Sequence, residues 1–279
     1  NGMMWRIGIL AGMMGLLLGL TSSPAQNRSP LDSREPPHRP AHFDRLLQRF
    51  VDTQGNVDYA ALQTQADSTL VPYLRHLAAA RPSSMSRDAR LALWINAYNA
   101  YTLKLIVDHY PVPSIRAIPG PTEDKTPFQR PVGPVADTVR TLDEIEHEII
   151  RQRFDEPRIH FALVCAAKSC PRLRREPYTE SRLDAQLHDQ ARHFLHSATN
   201  RIPAGNGTIA LSRILKWYGT DFGPTRTALQ RALAPYFDGS VRDSLAQGEY
   251  EIHYLPYDWT LNDQSLDPGV WSPDSTFGS

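Results

Sequence analysis

The chain contains two cysteines, Cys165 and Cys170, in the stretch ALVCAAKSC. An apolar run precedes Cys165, and mostly small residues separate the two thiols, which leaves room for a ligand beside Ser169. Lys168 and Arg172 are close in sequence, and a nearby cation lowers the pKa of a thiol and favours the nucleophilic thiolate. One interpretation is therefore a reactive thiol, with Cys165 as nucleophile and Ser169 and Arg172 as substrate-binding residues.

Two structural interpretations of the same pair remain open. Free cysteines are among the most buried residues and often act as small apolar side chains. An even number of cysteines in an exported protein also makes Cys165 and Cys170 a disulfide candidate, provided that their Cα atoms come within about 7 Å. Two cysteines without a second ligand pair form only a partial zinc site, so we predict no metal and no cofactor.

A thiol nucleophile needs a base, and His147 is the candidate. It lies in EIEHEII, where Glu146 could orient its ring as in a general base; the alternative is a packed, hydrogen-bonded histidine. His160 stands at the other end of the apolar run, and a strand would place it roughly 16 Å from Cys165. His193 and His196 are three positions apart, a spacing that would allow a surface metal, although a solvated helix face is the better explanation.

Two asparagines lie in the most apolar helical segment, within WINAYNAYT. Asn96 and Asn99 share one face, and buried amides must be hydrogen-bonded. One interpretation is that they tie a neighbouring loop or strand to the helix. The other is that they line a polar pocket with Trp94 and Tyr98 and bind substrate.

Helical spacing of apolar residues predicts helices over 43–51, from 59, over 88–109, from 141 to about 154, and over 179–198. Thr141 and Glu144 form a capping-box pattern at the start of the fourth. Short strands or an excursion loop are predicted within 112–140, a strand over 158–166, a hairpin around Gly205–Gly207 and a late strand near Tyr250. Because helices are many and strands few, the fold class is α+β, with a small, mainly antiparallel sheet packed against a helical layer and one central buried helix.

The N-terminal 25 residues have the layout of a secretory signal, with one basic residue, an apolar run from Ile7 to Leu20 and small residues before the cleavage site. The alternative is a membrane anchor, although the apolar run is short for a span, which needs about 20 residues. Residues 26–40 are predicted to be a flexible lead-in, 41–265 one globular domain and 266–279 a loose tail. The expected location is secreted or periplasmic, with no stable membrane span after processing.

Composition limits the partners. Thirty basic and 30 acidic side chains balance to a formal net charge of +0, so no global field attracts nucleic acid. Hydrophobic residues make up 41% of the chain, enough for a sizeable core. A peptide or a small-molecule ligand is the expected partner; the oligomeric state is left open.

Five stretches together resemble the domain-of-unknown-function 547 family. They are VDYAAL, LWINAYNAYTLKLI, IEHEIIR, IHFALVCAAKSCPRLR and YLPYDWTLN. The resemblance implies a fold similar to the papain-like cysteine peptidases, whose nucleophile begins the central helix. Here no cysteine lies near Trp94–Asn96, so either Cys165 replaces that nucleophile or the cleft only binds. Glu146, His147 and Cys165 fall within the family's recurrent motifs.

Two functions follow as hypotheses. The first is an exported thiol-dependent hydrolase or acyl transferase acting on peptide or envelope material, with Cys165, His147 and Glu146 as nucleophile, base and orienter. The second is a non-catalytic module that binds a peptide or small ligand in a degenerate papain-like cleft, using Asn96, Asn99 and Arg172.

Overall fold

The computed structural model describes residues 41–203 and 207–266. Its first three helices are α1 (Ala41–Phe50), α2 (Tyr59–Ala78) and α3 (Arg87–Val107). Asp58 caps α2 and Ser86 caps α3, each accepting a hydrogen bond from a backbone N–H of the first turn. Almost every residue of α3 is buried, so the prediction of a central buried helix is confirmed.

An antiparallel hairpin and a π-helix follow α3. Strands β1 (Pro131–Val135) and β2 (Thr138–Thr141) pair around a turn, as predicted for this segment. The π-helix spans Glu144–Ile150 and continues into the short α4 (Arg151–Arg153). Its capping box is confirmed, because Thr141 N–H donates to Glu144 at 2.9 Å and Glu144 N–H donates to the Thr141 hydroxyl at 3.0 Å.

The predicted strand over 158–166 is wrong. Residues Pro157–Phe161 form a 3₁₀-helix, with Glu156 accepting from the Arg158 N–H at its start. The backbone from Ala162 to Val164 is then paired by an α3 side chain, since Asn99 donates to Ala162 O and accepts from the Val164 N–H. Only at the end of the segment does it meet another extended stretch, where Asn262 N–H donates to Ala166 O and Ala167 forms a single antiparallel bridge with Leu261. An apolar buried segment needs backbone partners, and a helix amide supplies them here in place of a sheet.

The C-terminal half is mostly helical. It contains α5 (Leu183–Leu195), α6 (Ile214–Trp217), α7 (Gly219–Phe222), α8 (Arg226–Leu233) and α9 (Gly239–Gln247). Strand β3 (Gly207–Leu211) pairs in parallel with β4 (Tyr250–Tyr254). The predicted hairpin is reduced to one antiparallel bridge between Arg201 and Ala210, and residues 204–206 of its turn lie outside the described residues. Short 3₁₀-helices complete the described elements: Pro82–Ser84, Ile115–Ala117, Pro127–Gln129, Glu180–Arg182 and Ala234–Tyr236.

Two hydrophobic clusters make up the interior. One surrounds α3 and includes α1, α2 and the buried face of the π-helix. The other is built from α5, the β3–β4 pair and the short helices α6, α8 and α9. Tyr257 packs against both clusters, and thus marks where they meet. The protein is an α+β fold with a small sheet content, as predicted, although one strand pair is parallel.

The predictions for residues 1–25 and 26–40, and for all but the first residue of 266–279, lie outside the described residues. Within the described ranges, no helix combines the length and apolar character that a membrane crossing requires.

Candidate functional site

A cavity of about 300 Å³ lies where the two clusters meet. Six parts of the chain contribute to it: α3, the loop before β1, the π-helix, the segment from His160 to Cys165, the α6–α7 region and the C-terminal loop. The lining residues are Tyr98, Thr126, Phe128, Asp143, Glu146, His147, His160, Leu163, Cys165, Ile214, Trp217, Tyr218, Tyr257 and Trp259. The candidate catalytic residues Cys165, His147 and Glu146 all lie here.

Cys165 and Cys170 form a disulfide, with their Cα atoms 6.1 Å apart. Of the three interpretations of this pair, the structure therefore shows the disulfide. The Cys165 N–H donates to the Cys170 Sγ at 3.0 Å. The Tyr257 hydroxyl lies 3.1 Å from one sulfur and 3.2 Å from the other. The bond leaves no thiolate at the cavity wall in this state.

Glu146 is the buried carboxyl group of the cavity, and the residue is only 8% exposed. Tyr98 and Tyr218 hydrogen-bond its side chain. Burial raises the pKa of Glu146, although the neighbouring His147 and the two hydroxyls act in the opposite direction. The π-helical backbone positions this residue: the Arg151 N–H bonds the Glu146 carbonyl five residues back. Such wide turns are rare and often occur at functional sites.

His160 belongs to the same cavity. Its Nε2 lies 2.8 Å from Asp221 Oδ2, and its ring stacks on Tyr218 with centroids 4.0 Å apart. Burial lowers the pKa of His160 to about 4, so the ring is neutral at pH 7. Because Asp221 is an acceptor, we assign the proton to Nε2. The unprotonated Nδ1 then lies 4.0 Å from Glu146 Oε1, which is beyond hydrogen-bonding distance.

Asp221 and Arg151 complete this arrangement outside the cavity lining. Arg151 binds Asp221 through two bonds, from Nε at 2.7 Å and Nη2 at 2.8 Å. The paired guanidinium lowers the pKa of Asp221 to about 2, so the carboxylate is ionised and orients the His160 ring. We call Glu146, His160 and Asp221 the acid–imidazole cluster.

His147 is placed differently from its predicted role. Its Nδ1 lies 3.1 Å from Arg151 Nη1, and its Nε2 lies 3.5 Å from Asp143 Oδ1. Both ring nitrogens therefore have partners other than sulfur. The Glu146 carboxyl does not orient this ring, since its hydrogen bonds go to tyrosines. The structure brings His147 and Cys165 to one cavity without pairing them.

Three aromatic side chains form what we call the aromatic rim: Trp217, Tyr257 and Trp259. Their ring centroids are 4.7–5.9 Å apart. The Tyr257 ring is tilted by 50° to Trp217 and by 53° to Trp259, so the rings stand at angles to one another. Trp217 is 44% exposed, which is unusual for so large an apolar side chain.

Asn96 and Asn99 do not line the cavity. Asn96 exchanges two hydrogen bonds with the backbone of Tyr178, at 2.8 and 2.9 Å. Asn99 does the same for Ala162 and Val164, at 3.0 and 2.9 Å. Each amide donates one hydrogen bond and accepts one in fixing a loop to α3, as the tying interpretation predicts.

Ser169 and Arg172 also lie away from the cavity lining. The Ser169 hydroxyl accepts a hydrogen bond from the Asp258 N–H at 2.9 Å. This bond fixes Asp258, which lies in the sequence between Tyr257 and Trp259 of the aromatic rim. Arg172 lines a separate polar cavity of about 480 Å³ and pairs with Asp189 at 3.2 Å. In the part of the chain that the structure describes, no three His, Cys, Asp or Glu side chains are grouped to bind a metal.

Sequence reasoning missed most of the cavity. His160 was set aside because a strand would carry it far from Cys165, whereas the 3₁₀-helix and the turn after it bring both to one wall. Tyr218 lies between the short helices α6 and α7 and Asp221 lies in α7, and neither belongs to a recognisable sequence motif. The aromatic-rich stretch YLPYDWTLN was the one available signal for Tyr257 and Trp259.

The fold and the cavity define a small α+β protein with a buried carboxyl group beneath an aromatic rim. Residues 82–195 match the model of the family described as protein of unknown function, DUF547, which confirms over this segment the resemblance read from the sequence. No curated protein and no solved structure matches the chain. The matched segment includes Glu146, His160 and Cys165, while the aromatic rim lies beyond its end.

Proposed function

We propose that this is an exported protein that binds a small ligand in the cavity between the aromatic rim and the acid–imidazole cluster. The observation that carries the proposal is the combination of a cavity of about 300 Å³ with a wall of aromatic rings and one buried carboxyl group. Ligand sites are typically concave, mostly apolar and equipped with few polar groups. In this proposal the degenerate papain-like cleft of the sequence hypothesis is this cavity.

The Cys165–Cys170 disulfide supports binding rather than thiol chemistry. The two residues are the only cysteines of the chain, and the bond consumes both. Disulfides persist in oxidising compartments, which agrees with export through the predicted N-terminal signal. In such a compartment the cavity has its aromatic and carboxyl groups but no nucleophilic sulfur.

Binding can be followed through the protein's own fluorescence, since Trp217 and Trp259 both line the cavity. A fragment library is screened by thermal shift, and the hits are then titrated against tryptophan emission. Trp217→Ala should weaken the hits at least about tenfold. Val139→Ala is the matched control, because Val139 is 58% exposed and lies on the β1–β2 hairpin outside the cavity lining. Hits that bind all three proteins equally would contradict the proposal.

A second candidate is the thiol-dependent hydrolase or acyl transferase, active after reduction. One observation favours it: Cys165 lines the same cavity as His147, His160 and Glu146. Reduction would free the Cys165 thiol in a cavity that two imidazoles also line, and a ring that moved within hydrogen-bonding distance could accept its proton.

Thiol counting separates the two candidates. On the native mature protein, a fast-reacting free thiol would favour the enzyme candidate, whereas the disulfide of the binding proposal leaves no free thiol. After reduction, alkylation by iodoacetamide is measured across pH for wild type, His147→Ala and His160→Gln. A Cys165 that reacts at the rate of an ordinary thiol in all three proteins would rule out the catalytic candidate.

A further inference from the structure

Acidic side chains line the cavity. Two carboxyl groups, Glu146 and Asp143, are among its described lining residues, and no lysine or arginine is among them. His160 is neutral at pH 7 because burial lowers its pKa to about 4. His147 is half-exposed and already lies beside Asp143 at 3.5 Å. The carboxyl groups are therefore the side chains of this lining that can offer a negative charge to a cation.

Glu146 has no cationic partner of its own. Within the described ranges, no lysine or arginine nitrogen lies within 4.0 Å of its carboxyl oxygens. The nearest guanidinium, that of Arg151, is bound by Asp221 through two short bonds and by the His147 ring. The hydrogen-bond partners of Glu146 are hydroxyl groups, and the positive charges of His147 and Arg151 act on it without a direct bond, so burial still raises the pKa of this carboxyl group. A cation entering the cavity would compensate it.

The aromatic rim provides the second part of a cation site. Rings set at about 50° to one another can each direct a face to one point, and aromatic faces attract cations within about 6 Å of the centroid. One ring of the rim already shows this behaviour, since the Arg116 guanidinium lies 5.1 Å from the Trp259 centroid. Arg116 itself is not among the cavity-lining residues.

From this juxtaposition, and resting on the proposed ligand-binding function, we propose that the cavity binds a small organic cation, an ammonium or quaternary ammonium group, between the aromatic rim and the Glu146 carboxylate. The volume of about 300 Å³ is at the small end of ligand sites and suits a compact head group. The aromatic faces select for a polarised methyl or ammonium surface. Glu146 selects for the charge.

The test compares each cation with a neutral molecule of the same shape. The probes are choline against 3,3-dimethylbutan-1-ol, and n-butylammonium against n-butanol, titrated calorimetrically at low ionic strength and pH 8. Each cation should bind at least about tenfold more tightly than its neutral counterpart. Glu146→Gln should remove that preference without weakening the neutral probes, and Val139→Ala should retain it. Circular dichroism confirms that both variants are folded.

The pH dependence gives an independent readout. Choline carries a permanent charge, so a change in its affinity with pH reports on the protein. Since the protonated acid is neutral, choline affinity should fall as the pH falls through the pKa of Glu146, and Glu146→Gln should lose that part of the dependence. A neutral probe that binds as tightly as its cation overturns the cation site and leaves ligand binding intact. Failure of both cations to bind overturns it as well, while library hits abolished by Trp217→Ala would show that the cavity binds something else.

Discussion

Buried polar groups of two kinds lie within the same core, on α3 and on the π-helix. The α3 amides, Asn96 and Asn99, are 3% exposed, and each donates one hydrogen bond to loop backbone and accepts one from it. Glu146 is similarly buried, but its hydrogen bonds go to hydroxyl groups and it faces a cavity. Pairing with backbone through both donor and acceptor indicates a structural role, and a buried carboxyl group with a raised pKa beside a cavity indicates a site.

The contrast explains how the cavity is built. Asn99 fixes the backbone at Ala162 and Val164, which lies between His160 and Cys165. Both of those residues reach the cavity wall because these two hydrogen bonds hold the intervening backbone against α3. The amides thus position the site without contacting a ligand. Substitution of the amides should therefore lower stability, whereas substitution of the cavity groups should weaken ligand binding.

The largest effect is expected at Asn99. Asn99→Leu removes the side-chain partner of the Ala162 carbonyl and of the Val164 N–H, both of which are buried. Each backbone group left without a partner costs about 1–3 kcal/mol. The free energy of unfolding should fall by about 2–6 kcal/mol in a urea titration. Thr102→Val is the control, because Thr102 is equally buried on α3 but bonds only the Tyr98 carbonyl of its own helix. Equal losses for the two variants would contradict the distinct role of the amide.

His160 should make stability depend on pH. Its pKa is lowered from 6.5 to about 4 in the folded protein, so the unfolded chain binds more protons between these values. Stability from this residue is present above pH 6.5 and is lost as the pH falls towards 4. Between pH 7 and pH 5 the loss should be about 2 kcal/mol.

The matched variant for this measurement is His160→Gln, whose amide can still donate to Asp221 but does not titrate. Denaturant titrations of both proteins at the two pH values isolate the histidine, because all other groups are shared. If the wild type and the variant lose the same amount of stability on acidification, the imidazole is not buried in its neutral form.

A smaller effect is expected at Ser169, which belongs with the amides rather than with the cavity. Ser169→Ala leaves the buried Asp258 N–H without its acceptor, at a cost of about 1 kcal/mol. Because Asp258 lies between Tyr257 and Trp259, we also expect ligand affinity to weaken by a few fold, which corresponds to a loss of binding free energy of about 1 kcal/mol. Calorimetric titration of choline checks this, with Ser68→Ala on the exposed face of α2 as control. An unchanged melting curve would show that water replaces the hydroxyl.

Structural features that depend on the residues of a single helix or turn could be predicted from the sequence. The apolar pattern of α3, the Thr141–Glu144 capping box and the burial of Asn96 and Asn99 follow from local rules, and all are present in the structure. The site depends on packing between distant segments. Nothing near Tyr218 indicates that its ring will stack on His160, and an apolar run cannot show that its backbone partners will be side-chain amides instead of a strand.

The smallest effect on stability should come from the residue that matters most for binding. Burial raises the pKa of Glu146, which means that ionisation of this carboxyl group lowers the free energy of unfolding as the pH rises. Glu146→Gln removes the charge and keeps a polar group of the same shape beside Tyr98 and Tyr218. Its free energy of unfolding should stay within about 1 kcal/mol of wild type, the value of a typical hydrogen bond, and any gain should appear at pH 8 rather than at pH 4. Urea titrations at the two pH values measure this. A large loss of stability at both would place Glu146 with the structural amides, and the contrast between the two kinds of buried polar group would no longer hold.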